Sequence, residues 1–181
     1  MTFWSPQSLF QLVENQLVSH NILTHPWYLC QLFSRLILGG VLLLAGALKI
    51  GNLQKSAMAV RAYELLPVSL ANLLGYALPW VEIGVGLLLI TGAAVRISGL
   101  IGAFTMLAFI IAISQAWARG LSIDCGCFGG GGSVAPGETR YLQEILRDAG
   151  LVAMALFLIR YPVSKFSIDK ASKQTNVGDM E

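Results

Sequence analysis

An all-α membrane protein, a four-transmembrane-helix bundle with an N-terminal interfacial helix, is the fold class this sequence predicts, on three observations. The chain of 181 residues is 55% hydrophobic and only 12% charged, and its mean hydropathy of +0.67 is far above that of an ordinary soluble domain. Four apolar stretches approach the roughly 20 residues that a helix needs to cross the hydrocarbon core. Together they use up most of the length, which leaves no room for a large soluble domain.

Residues 1–28 contain no Lys or Arg and have polar residues scattered throughout, which is not the pattern of a secretory leader. Ser5-Pro6 suits a helix start, and Leu9, Leu12, Val13 and Leu17 then share one face, so this segment is either an interfacial amphipathic helix or a disordered tail. The first span covers 29–50, with Arg35 inside it and Lys49 closing it. Segment 53–72 carries Lys55, Arg61, Glu64 and Pro67, too polar to span, and predicts a short amphipathic helix and a loop. The second span, 73–90, includes Pro79 and Glu82, and 91–96 connects it tightly to the third. That third span, 97–117, has no charge, and Gly99 and Ala103 give it a small-residue face for close helix contact. A glycine-rich loop over 119–138 leads to the fourth helix, 141–161, whose purely apolar part is only 149–159. Its first turns must therefore face protein, headgroups or water. A membrane domain of 29–161 and a polar tail of 162–181 complete the chain.

Four spans put both termini on one side. The cluster Arg160, Lys165, Lys170 and Lys173 just after a span favours cytoplasmic termini, because positive residues collect on that face. The expected location is the inner membrane, multi-pass, in contact with lipid, with the loop at 119–138 periplasmic. A net charge of +2 with no basic block gives no reason to expect nucleic acid as a partner. Residues 132–139 superficially copy a phosphate-binding loop, but Glu138 stands where the Lys is required, so nucleotide binding is rejected.

Asp124-Cys125-Gly126-Cys127-Phe128-Gly129 sets two thiols within reach of each other across one glycine, the residue that best tolerates so tight a ring. A disulfide there is strained, and strain raises its reduction potential, which suits exchange better than a structural bond. In an oxidising compartment such exchange is the ordinary chemistry of accessible cysteines. Two other readings stand beside it: the cysteines fill a loop, or they form half of a metal site. Zinc takes four ligands, and His20, His25 and Cys30 lie toward the opposite side, so no metal is expected. Cys30 is read as a packing residue rather than the resolving thiol.

Arg35 and Glu82 are ionisable groups within spans and are candidates by that fact alone. Their depths allow a mutual ion pair, and the same two residues are candidates to hold a quinone headgroup or carry protons. Arg147 and Asp148 open the fourth helix near the cysteines, where a cation can favour a thiolate and a carboxylate can exchange a proton; ordinary helix-end charges are the plainer reading.

Arg35, Gly39 and Gly46-Ala47-Leu48-Lys49, then Leu78-Pro79-Trp80-Val81-Glu82 and Gly86, then the Asp124 to Gly129 string and Arg147-Asp148 together resemble the MauE-type proteins of the wider DoxX-like membrane group, over residues 29–161. The resemblance implies a four-helix inner-membrane protein associated with thiol redox. It also implies a periplasmic thioredoxin-like partner and, in the family's namesake, disulfide formation in the small subunit of methylamine dehydrogenase. The function expected is thus a membrane thiol-disulfide redox protein with Cys125 and Cys127 at its centre and a quinone as a candidate cofactor. The alternatives are a non-catalytic membrane subunit that docks a partner and, more distantly, a transporter using Arg35 and Glu82.

Overall fold

The computed structural model describes residues 26–135 and 137–161; the expectations for 1–25 and for the 162–181 tail lie outside them. Five helices appear among the described residues: α1 (Pro26–Ile50), α2 (Leu53–Ala62), α3 (Val68–Thr91), α4 (Val95–Ala118) and α5 (Tyr141–Arg160). Two two-residue strands, β1 (Ile123–Asp124) and β2 (Gly132–Ser133), lie between α4 and α5. Three of the helices, α1, α3 and α4, are long and apolar enough to cross a membrane. The fourth expected span, α5, does not reach that composition, because Glu144, Arg147 and Asp148 occupy its first half.

Local chemistry sets the boundaries. Pro26 suits the first turn of α1, where a missing N–H costs nothing. Asn52 caps α2, its side chain accepting from the Lys55 N–H at 3.0 Å. Pro67 precedes α3 and fixes an extended entry (φ −54°, ψ 145°), so the helix starts several residues earlier than hydropathy indicates. At the far end Gly92, with φ +75°, closes α3 in the left-handed conformation that glycine tolerates best.

α1 packs against α3, α2 against α3, and α4 against α5. The first crossing is close because a Cβ on Gly39 would lie 3.0 Å from the Gly86 carbonyl and one on Gly86 2.8 Å from the Gly39 carbonyl. A Cβ on Gly75 would fall 2.4 Å from the Ala57 backbone, so α2 and α3 touch almost backbone to backbone. Pro79 cannot donate to the Gly75 carbonyl one turn earlier. The hydroxyl of Ser56 takes over, donating to that oxygen at 2.8 Å. Gly99 meets Ile159, and Ala103 is buried, which bears out the small-residue face expected on the third span.

Two apolar clusters result. Leu38, Leu42, Val85, Leu89, Met106, Leu151 and their neighbours fill the bundle. Tyr63, Ile113, Ala116, Ile123 and Tyr141 form a second cluster that also contains Cys125 and Cys127.

Candidate functional site

The segment expected to be a simple glycine-rich loop is an ordered antiparallel ribbon, with Ile123 paired to Ser133 and Asp124 to Gly132. Asp124 ties it together, since its two carboxylate oxygens accept from the Gly126 and Gly131 N–H groups, each at 3.3 Å. Gly126 and Gly131 have φ of +69° and +114°, and any Cβ on either would collide with Ala59 of α2. Glycine is required twice over, by conformation and by contact. Two tyrosines hold the ribbon from below: the Tyr63 hydroxyl donates to the Cys125 carbonyl at 3.0 Å. Tyr141 donates to the Leu121 carbonyl at 2.5 Å and accepts from the Ile123 N–H at 3.0 Å.

Cys125 and Cys127 are both free thiols, in contact with each other, and the Cys127 N–H lies 3.2 Å from the Cys125 sulfur. Each is only 5% exposed, so the pair is covered rather than presented on the surface as the sequence reading supposes. Tyr63, Ile113, Ala116 and Tyr141 pack around it together with Ile123. The Cys125 thiol is held well above the ordinary thiol range by its hydrogen bond to Cys127 and then by burial. Burial likewise raises the Tyr63 hydroxyl.

Helix α5 brings the charges. Arg147 stacks over the Phe128 ring at 4.9 Å, pairs with Asp148 at 2.8 Å, and faces Cys127. One turn earlier, Glu144 meets the other sulfur: single ligand atoms of Asp124, Cys125 and Glu144 lie within 4.8 Å of one another. Three such atoms could share a metal ion; no fourth ligand joins them among the described residues. The sequence motif contains Asp124 and Cys125, while Glu144 arrives only because the ribbon folds back onto α5.

Beneath Cys127 lies a small cavity lined by Glu82, Phe109, Cys127, Arg147 and Asp148. Here the expected Arg35–Glu82 pair is replaced. Glu82 instead pairs with Lys49 at 2.5 Å, and the Lys49 ammonium sits 5.2 Å from the centre of the Phe109 ring. Arg35 donates to the Leu89 and Ile90 carbonyls at 3.0 and 3.2 Å, capping the C-terminus of α3. The reason is directional. Gly39 lies opposite Gly86, so Arg35 is level with the last turn of α3, about 12 Å from Glu82 at 1.5 Å per residue. Helix side chains also lean toward their own N-terminus; in antiparallel α1 and α3 this tilts Lys49 and Glu82 toward each other and Arg35 away. Sequence reasoning passed over Lys49, Tyr63 and Glu144 as site residues, although the side-chain lean was available to single out Lys49. Cys30 is exposed in the first turns of α1, while Gly129 of the ribbon contacts Leu48 near its end. About 27 Å of helix separates them, so Cys30 does not meet the pair.

The fold and site together define a helical, multi-pass membrane protein that keeps a Cys-Gly-Cys thiol pair folded against a charged helix start. A family model described as Methylamine utilisation protein MauE matches residues 27–161, and the chain belongs to the MauE family. It is 35% identical over 122 residues to the "Methylamine utilization protein MauE" of Methylorubrum extorquens, a match covering 65% of this chain and 62% of that protein. It is 28% identical over 143 residues to the protein of the same name from Methylophilus methylotrophus, covering 77% and 74%. The chain thus spans less than two thirds of the first relative's length. No solved structure matches it.

Proposed function

We propose that this chain is a membrane thiol-disulfide exchange protein in which Cys125 and Cys127 alternate between dithiol and disulfide. The observation that carries the reading is the pairing itself: two free thiols in contact on one glycine-hinged ribbon, Cys127 facing Arg147 and Cys125 facing Glu144. Arg147 places a cation where the Cys127 sulfur carries negative charge during exchange. Opening the ribbon to a partner falls to the run Gly129 to Gly132, three of whose residues have positive φ.

In this reading α5 is a fourth crossing, its polar first turns shielded by the ribbon, and the ribbon faces the periplasm. The partner is a soluble thioredoxin-like protein, and the clients belong to methylamine utilisation, the role printed in the names of the relatives. Returning the pair to the disulfide needs a two-electron acceptor, a part we give to a quinone. Arg35 is taken up by the Leu89 and Ile90 carbonyls and Glu82 by Lys49, so we move its site to an apolar groove of about 420 Å³ lined by Tyr63, Leu66, Leu74, Leu78, Phe104 and Phe109. Tyr63 bonds to Cys125 and Phe109 also lines the cavity under Cys127, which supports that position.

The burial of both thiols favours a second reading, a non-catalytic subunit that docks a partner with its cysteines dispensable. A Cys125→Ser/Cys127→Ser double variant separates the two. Loss of client disulfide maturation in cells, with the variant present at normal membrane levels, is the result expected; normal maturation would leave only the docking role.

A further inference from the structure

Glu82 and Asp148 are each 1% exposed, and each keeps one carboxylate oxygen, Glu82 Oε2 and Asp148 Oδ2, without a hydrogen-bond partner. An acceptor left bare in the interior is costly, and native folds satisfy such atoms with protein, water or a proton. Both residues line the cavity that Cys127 also lines. Its volume of about 10 Å³ is close to what one water needs. Its charged lining is Glu82 from α3 and Arg147 and Asp148 from α5, and Lys49 from α1 stands behind it, paired with Glu82. The α4 wall supplies only Met106 and Phe109. With two cations and two carboxylates the cluster is neutral as written, so it gives an extra metal cation no net attraction, while its bare oxygens still accept a proton.

We propose that this cavity is a proton-transfer site for the cysteine pair, in which Asp148, backed by the Lys49–Glu82 pair, receives the Cys127 thiol proton across one water. The inference rests on the thiol-exchange reading. In the exchange step the Cys127 S–H bond breaks, its proton passes to Asp148, and the electron pair stays on sulfur. That sulfur attacks one sulfur of an external disulfide, whose other sulfur leaves as a thiolate and takes up a proton. Cys125, losing its own proton to Glu144 or solvent, then attacks Cys127 and expels the second external thiolate. Two electrons have moved from the pair to the external disulfide, and two protons have left the pair.

The test is the rate at which the reduced full-length protein in nanodiscs, carrying Cys30→Ser in every sample so that only the pair reports, consumes dithiodipyridine, followed by thiopyridone release across a range of pH. For Asp148→Asn the rate near neutrality is expected to fall by about 100-fold, the low end of what a positioned base contributes. The gap to wild type closes as pH rises and hydroxide takes over proton removal. Glu82→Gln gives a smaller loss with the same closing, and decides the matter alone if Asp148→Asn does not fold. Rates equal to wild type, or lowered by one constant factor at every pH, overturn the proposal. Failure of the wild-type pair to form an internal disulfide with this reagent would overturn the exchange reading, and the proton site with it.

Discussion

Cys125 and Cys127 share a motif but not an environment. Cys125 lies under the Tyr63 hydrogen bond and beside acidic Glu144, while Cys127 faces Arg147. Replacing Arg147 by Gln is expected to slow alkylation of Cys127 by iodoacetamide about tenfold, the size of one charge-assisted contact, with Cys125 unaffected; peptide mapping of the labelled sites reads this out. The Cys125 thiol is raised by its bond to Cys127 and by burial, so the folded state keeps it neutral at pH values where the unfolded chain ionises it. Its contribution to stability is intact below the ordinary thiol range and is lost as pH rises beyond it. Resistance to chemical unfolding should therefore drop on the alkaline side in wild type and drop less in Cys125→Ser. The motif itself was legible in the sequence, because adjacent residues suffice to define it. Its burial was not, since that depends on Tyr63, Tyr141 and Ala59 arriving from other helices.

At the scale of elements, α2 and α3 are joined by an exchange of polar groups that Pro79 makes necessary. Ser56→Ala removes the donor to the Gly75 carbonyl and is expected to cost about 1–3 kcal/mol, the penalty of a bare buried acceptor. Gly75→Val should be worse, because its side chain would be driven into the α2 backbone. Unfolding titrations in mild detergent measure both. The α1–α3 pair depends on Lys49 and Glu82, 3% and 1% exposed. Lys49→Met alone strands a buried carboxylate at a cost of roughly 3–5 kcal/mol, and adding Glu82→Leu should recover most of it. Hydropathy located the cores of all four long helices. It misplaces the start of α3 because Val68 to Asn72, although part of the helix, is interrupted by polar Ser69 and Asn72, and Pro67 fits a loop as well as a helix start. Charge partners are less legible, because depth along a helix does not fix them without the lean of each side chain toward its own N-terminus.

Over the whole molecule, the outer surface of α3 and α4 exposes Leu73, Trp80, Ile97, Phe104 and Ile111, large apolar side chains that a bilayer would cover. Among the described residues the charged side chains of Arg35, Lys49, Glu82 and Asp148 are instead buried in the interior, the reverse of a soluble protein. The proposed topology expects a cysteine placed in the ribbon region, at Ser133, to react with a membrane-impermeant maleimide added to intact spheroplasts; reaction only after lysis would invert the orientation. The central claim is that the two sulfurs exchange between joined and separate forms. Acid quenching of intact membranes followed by thiol trapping, with and without added quinone, measures this most directly. Interconversion is expected, with the pair shifting toward the disulfide when quinone is supplied and Cys30 labelled throughout. A pair fixed in one form under every condition would contradict the claim.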